Sequence, residues 1–341
     1  MLKRGKENSV ATPLDGVDVL LADLDGIVYT GANAIPYAVE SINAASETAR
    51  VGYITNNASR TDVSVAKHLS ELGLHVEATD VVTSPQAAVR LLASEVAPGG
   101  LVLVVGGEGL VVELQKAGFR ITRSANDAPE AVIQGFAPEV GWAQLAEAAF
   151  ALAVDDSGNG IPWIATNTDW TIPVARGIAP GNGTLVSAVH AAVGRLPLVA
   201  GKPEVAIFEE AAARFAARNA LVVGDRLDTD ILGANRAGMA SALVLTGVDK
   251  AKQVLAANAD SRPRFLLDDL RQLHEPYPEI VLSKDGAEAT VNGARVRLRG
   301  DDIEIVKSSA GGIDLLRAAC ALIWASGRAI YGLNVPERLY R

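Results

Sequence analysis

The most constraining feature of the sequence is an apolar run that ends in two aspartates and a glycine. It reads Val17-Asp18-Val19-Leu20-Leu21-Ala22-Asp23-Leu24-Asp25-Gly26-Ile27-Val28. The apolar part is long enough for one buried strand, and Gly26 allows the chain to turn directly after Asp25. Two unpaired carboxylates about 4 Å apart repel each other by about 4 kcal/mol at an effective dielectric constant near 20, so a positive group is expected there. A solvated Asp-Gly turn explains this segment alone equally well.

Composition limits the class of protein. The chain has 341 residues, of which 49% are hydrophobic and 21% charged, and this is typical of a globular protein with two or three domains. The formal net charge of -9, with no basic stripe in the sequence, argues against a nucleic-acid partner. No uninterrupted apolar run approaches the roughly 18 residues that a membrane span needs, so we expect no membrane partner.

The single cysteine bears on the compartment. Cys320 excludes an intramolecular disulfide, and its apolar neighbours predict a core position rather than a reactive thiol. Residues 1–10 carry basic side chains with no apolar segment after them, so we expect no secretory signal. These features predict a cytoplasmic protein.

Polar side chains follow three further apolar strands of the predicted sheet. They are Thr55, Asn56 and Asn57 after residues 51–54, Lys202 after residues 198–200, and Asp225 with Asp230 after residues 221–223. Strands that alternate with helices indicate a parallel sheet, and ligands bind at the carboxyl edge of such sheets. We therefore expect these side chains to meet Asp23 and Asp25 at one edge of the sheet.

The same pattern predicts an α/β fold. It has a Rossmann-like doubly wound parallel-sheet core (residues 1–83 and 189–275), an inserted α/β cap domain (84–188) and a small α+β C-terminal appendage (276–341). In the cap, residues 167–184 read as a long irregular loop, in which Trp170 and Arg176 flank a substrate or Trp170 packs on the core of the cap.

The end of the chain carries clearer local signals. Residues 262–273 predict a helix that closes the core. In the appendage, Asn292-Gly293 predicts a β-hairpin, followed by a strand at 303–306 and a helix at 313–324.

The predicted edge has the groups that phosphoryl transfer needs. Several carboxylates suit Mg²⁺, while the Thr55 hydroxyl and the Lys202 ammonium can hold phosphoryl oxygens. An ionised Asp can attack phosphorus when cations offset the repulsion. Asp25 would then protonate the leaving alkoxide and later activate water, with a pKa raised by its acidic neighbours. The sequence thus predicts hydrolysis of a small phosphorylated metabolite through an aspartyl phosphate.

Four motifs resemble those of the haloacid dehalogenase superfamily, in order and in strand context. Asp23-Leu24-Asp25-Gly26-Ile27-Val28 is similar to the first, Thr55-Asn56-Asn57 to the second, Gly201-Lys202-Pro203 to the third and the segment from Gly224 to Asp230 to the fourth. The resemblance spans about residues 15–273. An Asp at position 25 is similar to the phosphatases of that superfamily rather than to its dehalogenases or phosphonatases.

The resemblance implies residue roles. Asp23 would be the nucleophile and a Mg²⁺ ligand, Asp25 the acid/base and a ligand through its backbone carbonyl, and Asp225 the third ligand. Asp230 would orient Asp225. Thr55, Asn56, Asn57 and Lys202 would bind the substrate's phosphate.

The insertion resembles the larger α/β cap of the nitrophenyl-phosphatase, nucleotide, pyridoxal-phosphate and glycerol-phosphate phosphatases. Asn167 and Asp169 match its Asn-x-Asp stretch and are expected to contact substrate, although Thr168 replaces a proline often found there. Such caps commonly offer dimer surfaces, which leaves a homodimer open. The appendage is similar to extensions of some bacterial glycerol 3-phosphate phosphatases, so the resemblance favours glycerol 3-phosphate over pyridoxal phosphate or nucleoside monophosphates.

Two functions of other classes stay open. The core could be a metabolite-phosphate sensor with vestigial turnover whose output is the appendage, although the complete set of catalytic acids argues against this. Gly106-Gly107-Glu108-Gly109 invites a dinucleotide-binding interpretation, but Val112 stands where the third glycine of that motif belongs, so a tight turn is favoured.

Overall fold

The computed structural model describes residues 11–154, 160–174, 176–309 and 312–340. Contacts divide the chain into two units, Met1–Arg50 with Asn219–Arg341, and Val51–Arg218. The predicted domain boundaries after residues 83, 188 and 275 stay predictions. Within the described residues, none of the helices is both long and apolar enough to span a membrane.

The first unit contains four parallel strands. Their order across the sheet is Phe265–Leu267, Ala240–Val244, Ala220–Gly224 and Val19–Ala22. The apolar run before Asp23 therefore forms the predicted buried strand, because Val19–Ala22 is buried throughout. The helices of this part are Ala38–Ala45, Leu232–Arg236 and Ala251–Leu255, with a π-helix at Leu227–Ile231. Two short strands, Tyr29–Thr30 and Asn33–Ala34, pair after the acidic turn.

The predicted closing helix at residues 262–273 is wrong. Phe265–Leu267 is a strand that pairs with residues 242–244, and only Leu270–Leu273 forms a short 3-10 turn. The Asp269 carboxylate accepts a hydrogen bond from Arg271 N–H and caps this turn. In the strand, Leu266 and Leu267 are buried beside Ala240–Val244, so sheet pairing rather than helical periodicity decides the structure of this segment.

The second unit starts with a pair of parallel strands, Arg50–Thr55 and Val81–Thr83. Helices Asp62–Glu71, Ser84–Glu95 and Val205–Phe215 belong to this part. The Thr61 hydroxyl accepts a hydrogen bond from Ser64 N–H and caps the first of them.

A five-stranded parallel sheet forms the rest of the second unit. Its order is Leu198–Val199, Trp163–Ala165, Ala131–Gln134, Leu101–Val105 and Arg120–Thr122. Helices Trp142–Ala151 and Asn182–Val193 cover one face, and Glu108–Lys116 follows the strand Leu101–Val105. The strand before Lys202 thus pairs with Trp163–Ala165, so its predicted place among the strands of the core sheet is wrong.

The stretch 167–184 is more regular than predicted. Thr171–Val174 and Gly177–Pro180 form an antiparallel hairpin, and the helix starts already at Asn182. Trp170 is 66% exposed, which excludes its packing on the core of the cap. The side chain of Arg176 is also exposed.

The appendage has the predicted hairpin, third strand and helix. Val281–Leu282, Glu288–Val291, Ala294–Arg299 and Asp302–Lys307 form an antiparallel sheet, against which the helix Gly312–Ser326 packs. Asn292 and Gly293 both have positive φ, 43° and 83°, as the tight hairpin turn requires. Cys320 is buried in this core, and burial raises the pKa of its thiol, which confirms the predicted unreactive position.

The core of the appendage is continuous with that of its own unit. Its buried residues cluster with Leu243, Val254 and Leu266, and with Leu227 and Ile231 of the π-helix. Arg317, which is 5% exposed, adds a polar connection. Its guanidinium donates to Leu266 O at 2.7 and 3.0 Å, to Gln272 Oε1 at 3.0 Å and to Asp314 Oδ1 at 3.0 Å.

We expect Arg317→Met to lower the free energy of unfolding by about 3–5 kcal/mol, because it leaves the buried Asp314 carboxylate without this cation. Urea denaturation followed by circular dichroism measures the change. Arg328→Met is the control, since the ion pair of Arg328 with Asp301 is exposed and should contribute less than about 1 kcal/mol. Equal losses in both variants would contradict a special role for the buried pair.

Candidate active site

Three aspartates of the first unit form a compact group, called here the acidic cluster. Asp23 and Asp225 directly follow neighbouring parallel strands, in which Ala22 lies opposite Val223. Asp230 comes from the π-helix that begins two residues after Asp225. One carboxylate oxygen of each lies within 4.8 Å of those of the other two. Asp23, Asp225 and Asp230 thus meet at the carboxyl ends of the strands as predicted, while the meeting of Asp25, Thr55, Asn56, Asn57 and Lys202 with them stays a prediction.

The acidic cluster has the chemistry of a metal site. Asp225 and Asp230 are buried, at 2% and 1% exposure, and Asp23 is partly buried. Each pair of such charges repels by about 4 kcal/mol at about 4 Å and an effective dielectric constant near 20. An all-oxygen donor set of this charge fits a hard divalent cation such as Mg²⁺.

Asp25 is placed differently from these three. Its side chain is exposed, in a turn in which Val28 N–H donates to Leu24 O at 2.8 Å and Gly26 N–H to Tyr29 O at 2.9 Å. Gly26 has a φ of 83°, which glycine adopts without strain. This turn leaves the Asp25 carboxylate accessible to a substrate.

Two glycines make a slot for the Asp225 carboxylate, called here the glycine slot. A Cβ at Gly247 or at Gly26 would overlap Asp225 Oδ2. Val248 N–H donates to the same oxygen at 2.5 Å. The orientation of Asp225 therefore depends on the absence of side chains at two positions far apart in sequence.

Asp249 supports the same region. Its N–H donates to Asp225 O at 3.1 Å, and its Oδ2 accepts from Leu227 N–H at 2.6 Å. Burial raises the pKa of Asp249, and the bond from Leu227 N–H opposes that rise. Asp230 Oδ2 in turn accepts from Arg226 N–H at 3.2 Å. These bonds fix the start of the π-helix beside the acidic cluster.

The second unit holds a hydrogen-bonded group centred on Asn56, called here the Asn56 network. Asn56 Oδ1 accepts from Lys202 N–H at 2.8 Å, and Nδ2 donates to Lys202 O at 3.0 Å and to Asp169 Oδ1 at 3.1 Å. Asn167 Nδ2 donates to Asn56 O at 2.8 Å, and its Oδ1 accepts from Asp169 N–H at 3.1 Å. Five predicted site residues thus lie together here: Thr55, Asn56, Asn167, Asp169 and Lys202.

Lys202 is held tightly within this network. The residue is 5% exposed, and its Nζ lies 3.4 Å from Ile54 O. A Cβ at Gly201 would overlap Asn56 Oδ1 and Thr166 O, so the glycine before the lysine permits the close approach of three segments. Thr55, at the end of its strand, is also buried, and its Oγ1 accepts from Asn57 N–H at 3.1 Å.

Asn57 uses its side chain to shape the loop. Its Oδ1 accepts from Ser59 N–H and Ser59 Oγ, both at 2.9 Å, and from Arg60 N–H at 3.3 Å. Gly109, in the glycine-rich motif, approaches this loop so closely that a Cβ would lie 2.8 Å from Arg60 O. The motif therefore serves packing against the Asn57 loop.

Several contributors were missed from the sequence. Ser84 Oγ donates to Asn56 O at 2.8 Å, and Asn182 Nδ2 donates to Asn167 O at 2.7 Å. Gly247 and Asp249 act on Asp225 as described above. None of these residues stands in a motif with recognised spacing.

Comparison with known proteins defines the class. The model of the haloacid dehalogenase-like hydrolases matches residues 20–120, and a second model, HAD-hydrolase-like, matches residues 199–273. With the parallel-sheet core and the acidic cluster, this shows that the chain belongs to the haloacid dehalogenase-like hydrolase family.

The similar proteins include ones named as phosphatases. The chain is 43% identical over 317 residues to D-glycerol 3-phosphate phosphatase of Mycobacterium tuberculosis, covering 92% of this chain and 87% of that one. It is 36% identical to human chronophin, covering 75% and 92%. Its structure is similar to the crystal structure of the M. tuberculosis glycerol phosphate phosphatase in complex with magnesium, with a TM-score of 0.84, 39% identity and coverage of 96% and 95%.

Proposed function

We propose that this protein is a Mg²⁺-dependent phosphatase that hydrolyses small phosphate monoesters, with glycerol 3-phosphate as the leading substrate. The observation that carries the proposal is the acidic cluster, in which carboxylates from two neighbouring strands and the following π-helix lie within 4.8 Å. Membership of the hydrolase family and the named activities of the relatives support it.

Asp23 is proposed as the nucleophile. Its carboxylate oxygen forms a bond to phosphorus as the bond from phosphorus to the ester oxygen breaks, which gives an aspartyl phosphate and an alkoxide. Asp25 donates a proton to that alkoxide, and the alcohol leaves. The deprotonated Asp25 then takes a proton from water, whose oxygen attacks phosphorus and releases phosphate and Asp23. The exposed position of the Asp25 side chain supports its role as acid and base.

The metal ligands are proposed to be Asp23 and Asp225 with the backbone carbonyl of Asp25, while Asp230 orients Asp225. The bound Mg²⁺ would offset the charge of the phosphate and the acids. The donor set supports this, since all of these ligands are oxygens. The glycine slot and Asp249 hold Asp225 in one orientation.

The phosphate-binding residues are proposed to be Thr55, Asn56, Asn57 and Lys202. The ammonium of Lys202 supplies a positive charge to phosphoryl oxygens, and Thr55 a hydroxyl. Asn167 and Asp169, in the loop before the hairpin, are proposed to contact the rest of the substrate. Their bonds to Asn56 support a shared role with the phosphate-binding residues.

The extent of similarity supports glycerol 3-phosphate as the substrate. The relative named for that activity is matched over 92% of this chain, whereas human chronophin is matched over 75%. Pyridoxal phosphate and nucleoside monophosphates are the alternatives to be compared.

A panel of these esters, assayed for released phosphate with Mg²⁺ and with EDTA, tests the function. We expect the highest kcat/KM for glycerol 3-phosphate and loss of activity in EDTA that Mg²⁺ restores. A higher kcat/KM for another ester would overturn the substrate, and no phosphate release from any ester would overturn the activity.

We also propose that two copies associate through the helix Trp142–Ala151. Trp142 is 81% and Phe150 64% exposed on this helix, so two large apolar side chains face water there. Light scattering after gel filtration should give twice the mass of one chain for the native protein. Trp142→Asp should reduce the measured mass to that of a single chain. Tyr331→Asp is the control, because Tyr331 is 93% exposed in the appendage and should leave the mass unchanged. A single-chain mass for the native protein would exclude the dimer.

The proposed compartment is the cytoplasm. The only cysteine is buried, so the fold gains nothing from an oxidising environment. Cell fractionation with a compartment marker tests this, and recovery outside the cytoplasmic fraction would contradict it.

A further inference from the structure

The side chain of Asn56 pairs with the backbone of Lys202 in the way that one peptide group pairs with another. Its Oδ1 accepts from Lys202 N–H, and its Nδ2 donates to Lys202 O. This double contact fixes the backbone on both sides of the Lys202 Cα. The origin and direction of the lysine side chain therefore depend on one amide.

The second hydrogen of the same amide goes to the loop that contains Asp169. Asn56 Nδ2 donates to Asp169 Oδ1 at 3.1 Å. A carboxamide has two N–H hydrogens, so the contacts to Lys202 O and Asp169 account for both. Both N–H donors of the Asn56 side chain are therefore used by protein acceptors.

The backbone carbonyl of Asn56 is held as firmly. It accepts from Ser84 Oγ and from Asn167 Nδ2, both at 2.8 Å. A carbonyl oxygen has two lone pairs, and these donors occupy them. Three separate segments, at Ser84, at 167–169 and at Lys202, thus meet on one residue.

We infer that Asn56 is a positioning residue, which couples the Asn167–Asp169 loop to Lys202 and acts on the phosphate through that lysine rather than by contact of its own side chain. This rests on the proposed phosphatase function and narrows the role of Asn56 within it. The coupling requires an N–H donor at this position, because both acceptors, Lys202 O and Asp169 Oδ1, are oxygens.

Asn56→Asp tests the requirement for a donor with almost no change in shape. The introduced carboxylate faces the Asp169 carboxylate and the Lys202 carbonyl, so both contacts become repulsive. We expect kcat/KM to fall by about 100-fold, as misplacement of a binding group by about 1 Å can cause. Asn56→Ala removes the contacts without adding charge and should also lower kcat/KM.

The pH dependence separates positioning from general damage to the fold. When the introduced carboxyl is protonated, it donates to Asp169 again, so kcat/KM of Asn56→Asp relative to native protein should rise as pH falls. The same ratio for Asn56→Ala should not change with pH. Equal pH dependence of the two ratios would overturn the inference.

Hydrogen–deuterium exchange gives a readout that does not depend on activity. In the unliganded protein, Asn56→Asp should increase exchange at 167–170 and at 201–204 together. If native protein hydrolyses no ester but this joint increase is seen, the proposed function fails while the coupling stands. If native protein is active and neither exchange nor kinetics changes, the inference fails alone.

Asn235→Asp is the matched control. Asn235 Nδ2 also donates to two loop carbonyls, those of Asp260 and Arg262, at 2.8 and 3.0 Å, and its Oδ1 accepts from Ser241 Oγ. The substitution removes a comparable pair of bonds in the other unit. We expect faster exchange near residues 260–262 and unchanged kcat/KM; a loss of kcat/KM equal to that of Asn56→Asp would overturn the inference.

Discussion

Asp23→Asn is expected to reduce phosphate release by at least about 10⁴-fold, since loss of a nucleophile alone costs up to about 10⁶-fold in well-studied hydrolases. The amide is nearly the same size as the carboxylate but cannot form an acyl phosphate. Its neutral oxygen also weakens the acidic cluster as a cation site. Phosphate release under saturating Mg²⁺ measures the loss.

Rapid acid quench with a radiolabelled ester should detect a phosphoenzyme in native protein and none in Asp23→Asn. Asp228→Asn is the control, because Asp228 lies close in sequence to Asp225 and Asp230 but is exposed in an ion pair with Arg226. We expect its rate to stay within about twofold of native, as is typical of exposed pairs. Activity of Asp23→Asn close to native would remove Asp23 as the nucleophile.

Gly247→Ala should weaken Mg²⁺ binding by about 10- to 100-fold, the range typical of changes to groups that orient metal ligands. The added methyl group would overlap Asp225 Oδ2, so the carboxylate must turn away. Gly247 does not have the positive φ that Gly26 has, so the effect at Gly247 is steric and does not include backbone strain.

Calorimetric titration with Mg²⁺ alone measures the affinity, and the rise in melting temperature on adding Mg²⁺ provides a second measurement. Gly332→Ala is the control, because a Cβ there meets no atom within 4 Å. Native affinity in Gly247→Ala would show that the glycine slot does not determine how Asp225 is oriented. If Gly247→Ala without Mg²⁺ melts near the native temperature but its melting temperature rises little when Mg²⁺ is added, the role of the glycine slot is supported.

The parts of the site that sequence could predict are those that depend on local pattern. An apolar run followed by acids identifies both a strand and its functional end, so Asp23 and Asp225 were placed correctly. The Asn292-Gly293 turn was predictable for the same reason, because its backbone angles follow from residue type.

The wrong or missing predictions concern residues whose structure depends on tertiary contacts. Residues 265–267 pair with the edge of a sheet, and no local pattern in the sequence indicates that this edge is open to them. The strand before Lys202 pairs with Trp163–Ala165, a neighbour that the sequence also does not indicate. The glycine slot depends on the proximity of positions 26, 225 and 247, which no local pattern encodes. Asn56 was recognised as part of a motif, but the partners of its side chain, Asp169 and Lys202, lie more than 100 residues away in sequence.

The apolar cluster that joins the appendage to Leu227 and Ile231 has a consequence for engineering this chain. Those two residues bound the π-helix that carries Asp230, and a chain cut at residue 275 would remove the appendage side chains from the cluster that contains them. Exchange of tails between relatives would therefore succeed only when the incoming tail presents a complementary apolar surface to that cluster.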